Sequence, residues 1–352
     1  MDIYALDYKF DLVSIGIPYS NLQWTRRYYE AGEFMVELPL SVYDASWKYI
    51  GTSDRPELGV IQKIEQYGEG DVNILLSGFF CEKLLDDDVC YPRYKGNAAN
   101  TETAVRNIFT KYYRNDGELD IQLAKINNPP LGDRTQSDFS DDELGKKLYS
   151  ILESRECSFR IEYSFEDNVF YFKVWQGKDR TQSQNKNSFQ VFSTEFGNIV
   201  DKSTVFDSSD YKNYAYIPVN ANDNGVERDC FYVQLVDNDR KKAIVIDMRA
   251  SVPGEDQSYS DFRDSCIQEA TEILLSYAKV EDIDIVLAGN KGYMLDYDLG
   301  DKCDVVLTDI GIQMETRIVE VLEVFKADGG HEVTLGLGNR RIDNIRRAVQ
   351  KI

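Results

Sequence analysis

The stretch TRIVEVLEVFKADGGHEVTLGLGNR, residues 316–340, decides how the whole chain is read. Apolar and polar positions alternate as far as Lys326, an acidic, glycine-rich turn follows, and a second alternating run ends in small residues. A period of two between turn residues is the mark of half-buried antiparallel strands. An earlier stretch, GVIQKIEQYGEGDVNILLSGFF at residues 59–80, holds the same parts in the same order. Two readings of this likeness stand side by side. Either each copy is one hairpin of a repeated small barrel, or two acidic hairpins resemble each other by composition alone.

Working outward, residues 1 to about 95 keep the strand period, with Phe34, Val36 and Leu38 in one run and Val72, Ile74 and Leu76 in another. From 96 to about 155 the period lengthens. Ala104, Val105, Ile108, Phe109 and Tyr112 form one helical stripe, and Leu144, Leu148, Ile151 and Leu152 a second. A capping box of Ser140 and Glu143 is expected to open the second helix. Between the helices, residues 127–137 carry Pro129, Pro130 and Gly132, which break a helix. SFRIEYSF and VFYFKVW flank Glu166, Asp167 and Asn168, a hairpin signal. A polar stretch, 177–188, leads to a second strand-rich region interrupted by a helix at about Ser260 to Tyr277.

These periods predict an α+β chain. The expected parts are a first small antiparallel β-barrel at 1–95, an inserted α+β domain at 96–188, and a second barrel at 189–338. A helical insertion near 256–280 interrupts the second barrel, and a basic C-terminal helix occupies 339–352.

Hydrophobic residues make up 42% of the 352, enough to build cores, and 23 tyrosines add rings suited to interfaces. Lys and Arg total 40 against 61 Asp and Glu, a formal charge of -21 that repels nucleic-acid phosphates. Sequence-specific DNA binding is therefore not expected. The six cysteines form no close pair, the N-terminus has no basic-then-apolar leader, and no apolar run is long enough to cross a membrane. The expectation is a chain made and folded in a reducing cytoplasm, without membrane insertion.

Catalytic motifs are sparse. The one histidine, His331, reads as a surface turn residue with no nucleophile elbow beside it, and the spaced cysteines offer no zinc pair. NANDNG at 220–225 imitates a calcium loop, but the position of its bidentate Glu is held by Phe231. Gly336 and Gly338 read as strand-end punctuation, and Asp86, Asp87 and Asp88 as a solvated turn. Carboxylate pairs are too abundant to single out a hydrolase. No catalytic residue, cofactor or metal is expected. The candidate assembly interface is the cation cluster Arg340, Arg341, Arg346, Arg347 and Lys351. Ile342, Ile345, Val349 and Ile352 lie near a helical stripe beside it.

Taken in order, four segments resemble siphovirus and prophage tail proteins related to the baseplate hub of contractile-tailed phages. They are Trp24-Thr25-Arg26-Arg27-Tyr28-Tyr29-Glu30-Ala31-Gly32-Glu33-Phe34, then Trp175 to Arg180, then Ser208 to Asn213, then Leu299 to Val306. The resemblance runs along essentially the whole chain, and the basic end from Asn339 departs from it. It implies a virion structural protein at the tail tip, in which three copies place six barrels around a channel. The implied partners are its own copies in a homotrimer, the tube or distal tail protein, and tip or spike proteins, with DNA only passing through. A tail-associated cell-wall hydrolase and a carbohydrate- or receptor-binding tail module are the alternatives. The chain ends directly after the second expected barrel, which leaves no room for a lytic domain.

Overall fold

The computed structural model describes residues 1–67, 72–115, 119–220, 229–236, 240–254, 257–289 and 292–338. Its first part is strands with one 3-10 turn, Leu40–Val42: β1 (Ile3–Leu6), β2 (Leu12–Ile15), β3 (Asn21–Arg27), β4 (Glu33–Pro39), β5 (Tyr49–Thr52), β6 (Leu58–Val60), β7 (Lys63–Tyr67) and β8 (Asn73–Phe79). The middle part holds β9 (Tyr94–Lys95), β10 (Ala99–Asn100), α1 (Thr101–Tyr112), β11 (Ile121–Leu123), β12 (Arg134–Thr135), β13 (Asp138–Phe139), α2 (Leu144–Glu153), β14 (Ser158–Ser164) and β15 (Val169–Trp175). The last part begins with β16 (Val191–Ser193), β17 (Ile199–Asp207), β18 (Tyr214–Pro218), β19 (Cys230–Gln234), β20 (Ala243–Val245) and α3 (Tyr259–Leu275). It ends with β21 (Val280–Leu287), β22 (Lys302–Leu307), β23 (Ile312–Lys326) and β24 (His331–Gly338). The fold is α+β and mainly β.

One ten-stranded sheet organises the molecule. Its main path runs β17-β21-β24-β23-β3-β4-β8-β7, with β22 on the first half of β23 and β16 beside β22. The fifteen-residue β23 joins the two strand-rich regions, since residues 312–317 pair with β22 and residues 320–326 with β3. Most of both similar stretches lies in this sheet, the first as the paired strands β7 and β8, the second, as far as Gly338, as β23 and β24, while residues 59 and 60 belong to β6.

A four-stranded sheet, β2-β1-β5-β6, explains why strict alternation fails near residue 50. Ile3, Ala5 and Ile50 face a core built on Trp24, Phe34 and Phe80, while Leu6, Tyr49 and Leu58 face another built on α1, α2, β14 and β15. Burial on both faces replaces the polar half of the pattern with apolar residues and glycine. At Gly59 a Cβ would stand 2.3 Å from the Phe34 ring. The isolated pair Gly59 and Phe80, with Gln62 N–H donating to the Ser77 carbonyl at 3.0 Å, ties this sheet to the large one. Among the described residues the strand pairing does not close into a continuous barrel.

In the middle region α1 and α2 pack on the sheet β11-β15-β14. Helix α1 is capped by Asn100, whose side chain accepts from Glu102 N–H at 3.2 Å. The capping box expected at Ser140 and Glu143 is not formed. Helix α2 starts one residue after Glu143, which makes no side-chain cap bond, and Ser140 Oγ instead lies 3.0 Å from Asp141 Oδ2. Asp141 adopts φ 64°, a turn that carries Ser140 off the helix axis. The hairpin follows as expected, its loop spanning residues 165–168 with Asn168 at φ 52°.

The expected late helix is α3, and it packs on the three-stranded sheet β19-β18-β20 around Phe262, Cys266, Ala270 and Leu274. This unit leaves the large sheet after Asp207 and rejoins it at Val280, two residues that face each other across β17 and β21.

Candidate functional site

Strand register sorts the side chains of the large sheet onto two faces. One face carries Leu22, Trp24, Phe34, Val36, Leu76, Val321, Leu335 and Ile285, all buried in two separate cores. The opposite face belongs to no core. It presents Glu33 and Glu37 of β4, Glu65 of β7, Glu320 of β23, Glu332 of β24, Asp282 and Asp284 of β21, and Asp201 and Asp207 of β17. Between them stand polar groups such as Gln23, Thr25, Ser77, Ser203 and Thr334, and apolar ones, Met35, Leu75, Phe79, Leu322, Val324, Val286 and Val205. The cations on this face are Arg27, Lys63 and Lys326. Arg27 is held by Glu33 at 2.6 Å and Glu320 at 3.0 Å, and Lys63 by Glu65 at 2.7 Å. On this face acids outnumber cations, the cations are largely neutralised in place, and Asp282 is buried.

Among the described residues no strand pairs with the outer side of β7 or of β17. Strand β7 is exposed along its length and carries Ile64 and Tyr67, and β17 carries exposed Val200, Val205 and Phe206. Edge strands offer unpaired backbone donors and acceptors, and natural proteins usually cover or charge them.

On the buried face, the seam between the two cores is ionic. Arg26, 2% exposed, donates to Glu57 and to Asp298, each at 2.8 Å, and to the Tyr293 hydroxyl at 3.2 Å. Arg55 grips the fully buried Glu323 through two bonds of 2.9 and 2.5 Å, and Tyr293 lies 3.4 Å from the same carboxylate. Buried charges of this kind are tolerated because each is paired. His331 joins the network, correcting its reading as a surface turn residue. It opens β24, stacks on Phe325 at 4.1 Å, and places Nε2 3.1 Å from Glu323 Oε1. Burial holds its pKa below the ordinary range, although Glu323 pulls the other way. Glu82, just after β8, accepts from Ile161 N–H at 2.9 Å; burial pushes its carboxyl up to about 7.

Sequence reasoning missed this seam because its members are spread from Arg26 to His331 and no spacing rule connects them. The expected interface residues Arg340, Arg341, Arg346, Arg347 and Lys351 lie outside the described residues, and the strand before them ends at Gly338. Asp86 and Asp87 end a short 3-10 helix, Cys81–Asp87, in which Lys83 and Asp86 pair at 2.7 Å. Among the described residues no group of His, Cys, Asp and Glu could hold a metal ion. The six cysteines are free, and all but Cys230 are buried.

Solved structures similar to this chain include tail proteins. The tail protein from Neisseria meningitidis MC58 matches with TM-score 0.58 and 13% identity, over 96% of each chain. Prophage tail protein gp18 from Listeria monocytogenes EGD-e gives 0.58 and 14%, over 100% of this chain and 99% of that one. The prophage MuSo2 43 kDa tail protein from Shewanella oneidensis gives 0.57 and 12%, over 96% and 98%. No curated protein matches the sequence. The sequence itself matches one family along residues 1–339, and the chain thus belongs to the siphovirus ReqiPepy6 Gp37-like proteins.

Proposed function

We propose that this protein is a non-enzymatic tail hub subunit, copies of which join edge to edge into a ring that links the tail tube to the tip and surrounds the DNA channel. The observation that carries this reading is the pair of open edges on one sheet. Every neighbour along β17-β21-β24-β23-β3-β4-β8-β7 is antiparallel, and the path holds eight strands, so β17 and β7 run in opposite directions. Head-to-tail repetition therefore sets β7 of one copy antiparallel to β17 of the next. Such a contact is heterologous and closes when the rotation per copy divides the circle. In this reading residues 1–95 and 189–338 are barrel-like tube domains, 96–188 lies outside the ring, and three copies close it at the tail tip. The acidic face then lines the channel. A polyanion passes such a wall without the counterion release that would hold it on a basic one. The cation cluster at 340–351 points away from the channel, toward an acidic neighbouring tail protein.

Cysteines placed at Glu65 and Ser203, in a Cys230→Ser background, test the contact in assembled tails. Oxidation is expected to give a ladder ending in a closed trimer. Monomer alone, or a dimer formed by Ser203→Cys without Glu65→Cys, would overturn it.

A further inference from the structure

Each edge of the large sheet turns a definite set of backbone groups outward. Phe80 N–H donates to the Gly32 carbonyl and Leu40 N–H to the Val72 carbonyl, each at 2.9 Å, so the even-numbered residues of β8 bond toward β4. The odd-numbered ones bond toward β7, at Lys63, Glu65 and Tyr67, which leaves the N–H and C=O groups of Ile64 and Gln66 directed outward. At the other end, Lys326 N–H donates to the Gly330 carbonyl at 2.9 Å and sets the alternation through β24 and β21 to β17. There Lys202, Thr204 and Phe206 direct their backbone groups outward. The side chains of all five residues lie on the core face, since Ile64 pairs with Leu76, Gln66 with Ile74, Lys202 with Ile285 and Thr204 with Ile283. Strand β7 of one copy can therefore pair with β17 of the next without turning the sheet over.

Four registers join the outward groups of β7 to those of β17. Pairing Ile64 with Lys202, or Ile64 with Thr204 and Gln66 with Lys202, requires the Lys202 N–H, which already donates to Asp201 Oδ1 at 2.8 Å. Pairing Gln66 with Phe206 sets Glu65 against Asp207, a like-charge pair. The fourth register avoids both costs, placing Ile64 opposite Phe206, Gln66 opposite Thr204 and Lys63 opposite Asp207. We propose that β7 of one copy pairs with β17 of the next in this fourth register, Ile64 against Phe206 and Lys63 against Asp207. This pairing rests on the ring reading and adds to it the residues by which one copy recognises the next. Ile64 and Phe206, 50% and 46% exposed in the single chain, bury each other. Lys63, 2.7 Å from Glu65 of its own strand, gains Asp207 of the neighbouring copy as a second acid. Ile64 with Phe206 and Gln66 with Thr204 each exchange two N–H···O bonds, as hydrogen-bonded pairs of an antiparallel ladder do.

Disulfide formation in assembled tails reads the register. In a Cys230→Ser background, Glu65→Cys is combined in turn with Asp201→Cys, Ser203→Cys, Val205→Cys and Asp207→Cys, and the rate of oxidation is followed. Strands β7 and β17 lie at opposite ends of the sheet, so each bond forms between copies. Glu65 and Val205 face each other in the proposed register, whereas Ser203 and Asp207 lie on its diagonals, near the limit a disulfide spans. Glu65→Cys/Val205→Cys is expected to close first, about tenfold faster than either diagonal pair. As a second measurement, Lys63→Glu should slow that closure severalfold, and Asp207→Lys in the same chain should restore it. Circular dichroism checks that the variants are folded. Fastest closure with Asp201→Cys, Ser203→Cys or Asp207→Cys, or a charge exchange that restores nothing, would overturn the register and leave the ring reading standing. Absence of a bond at all four positions would overturn both.

Discussion

Glu82 sits where three parts of the chain meet, against β14, near Glu57 and Arg160. Its carboxyl titrates at about 7 in the folded protein and near 4.5 when unfolded. The folded state therefore binds more protons between these values, and stability falls as pH rises through that window, by up to roughly 3 kcal/mol. Thermal midpoints should drop from pH 5 to pH 7.5, and Glu82→Gln should remove that part of the slope; an unchanged slope would exclude this carboxyl as its source. His331 works in the opposite sense. With a depressed pKa, this group favours the neutral form and loses stability as pH falls below its unfolded value. At the seam, Arg26→Met strands Glu57 in the interior, takes a partner from the partly exposed Asp298, and is expected to cost roughly 3 kcal/mol in denaturant titrations. The buried status of these charges was not legible in the sequence. Arg26 lies in the aromatic segment that carried the family resemblance, yet its partners lie 31 and 272 positions away.

Helix ends divide sharply into what periodicity reveals and what it does not. The stripes of α1 and α2 were readable because both helices bury one face against a sheet, giving a period near 3.6. Their caps were not readable, because several polar residues could serve and backbone turns choose among them. Asn100→Ala should lower stability by about 1 kcal/mol, since it removes a cap that also donates to the Pro130 carbonyl at 3.1 Å. Ser140→Ala should stay within about 0.5 kcal/mol, because this side chain caps nothing. Equal losses from the two substitutions in matched melts would contradict the assignment. The sheet beside α3 escaped the sequence reading for a different reason. Its strands are short, and the face bearing Tyr216 and Tyr232 is exposed and aromatic, so the usual contrast between inside and outside is weak. Strands β5 and β6 were blurred in the opposite way, by burial on both faces.

For the molecule as a whole, part of the acidic composition gains a location, since acids outnumber cations on the face of the large sheet that no core covers. Lysine in place of Glu37, Asp201 and Glu332 should leave the cores intact and leave assembled tails normal in appearance. In the proposed ring, DNA release from such particles should slow, most strongly at low salt, where phosphate contacts are tightest; release rates equal to the parent at low salt would remove the channel role from this face. The two edges of the sheet carry a further consequence, which is genetic. Because β7 and β17 are different surfaces, a copy with β7 blocked by proline at Glu65 still offers an intact β17. In the ring reading it would enter a growing assembly and leave it unable to close. Such an allele should be dominant when co-expressed with the normal gene, whereas one damaged at both edges should be silently recessive.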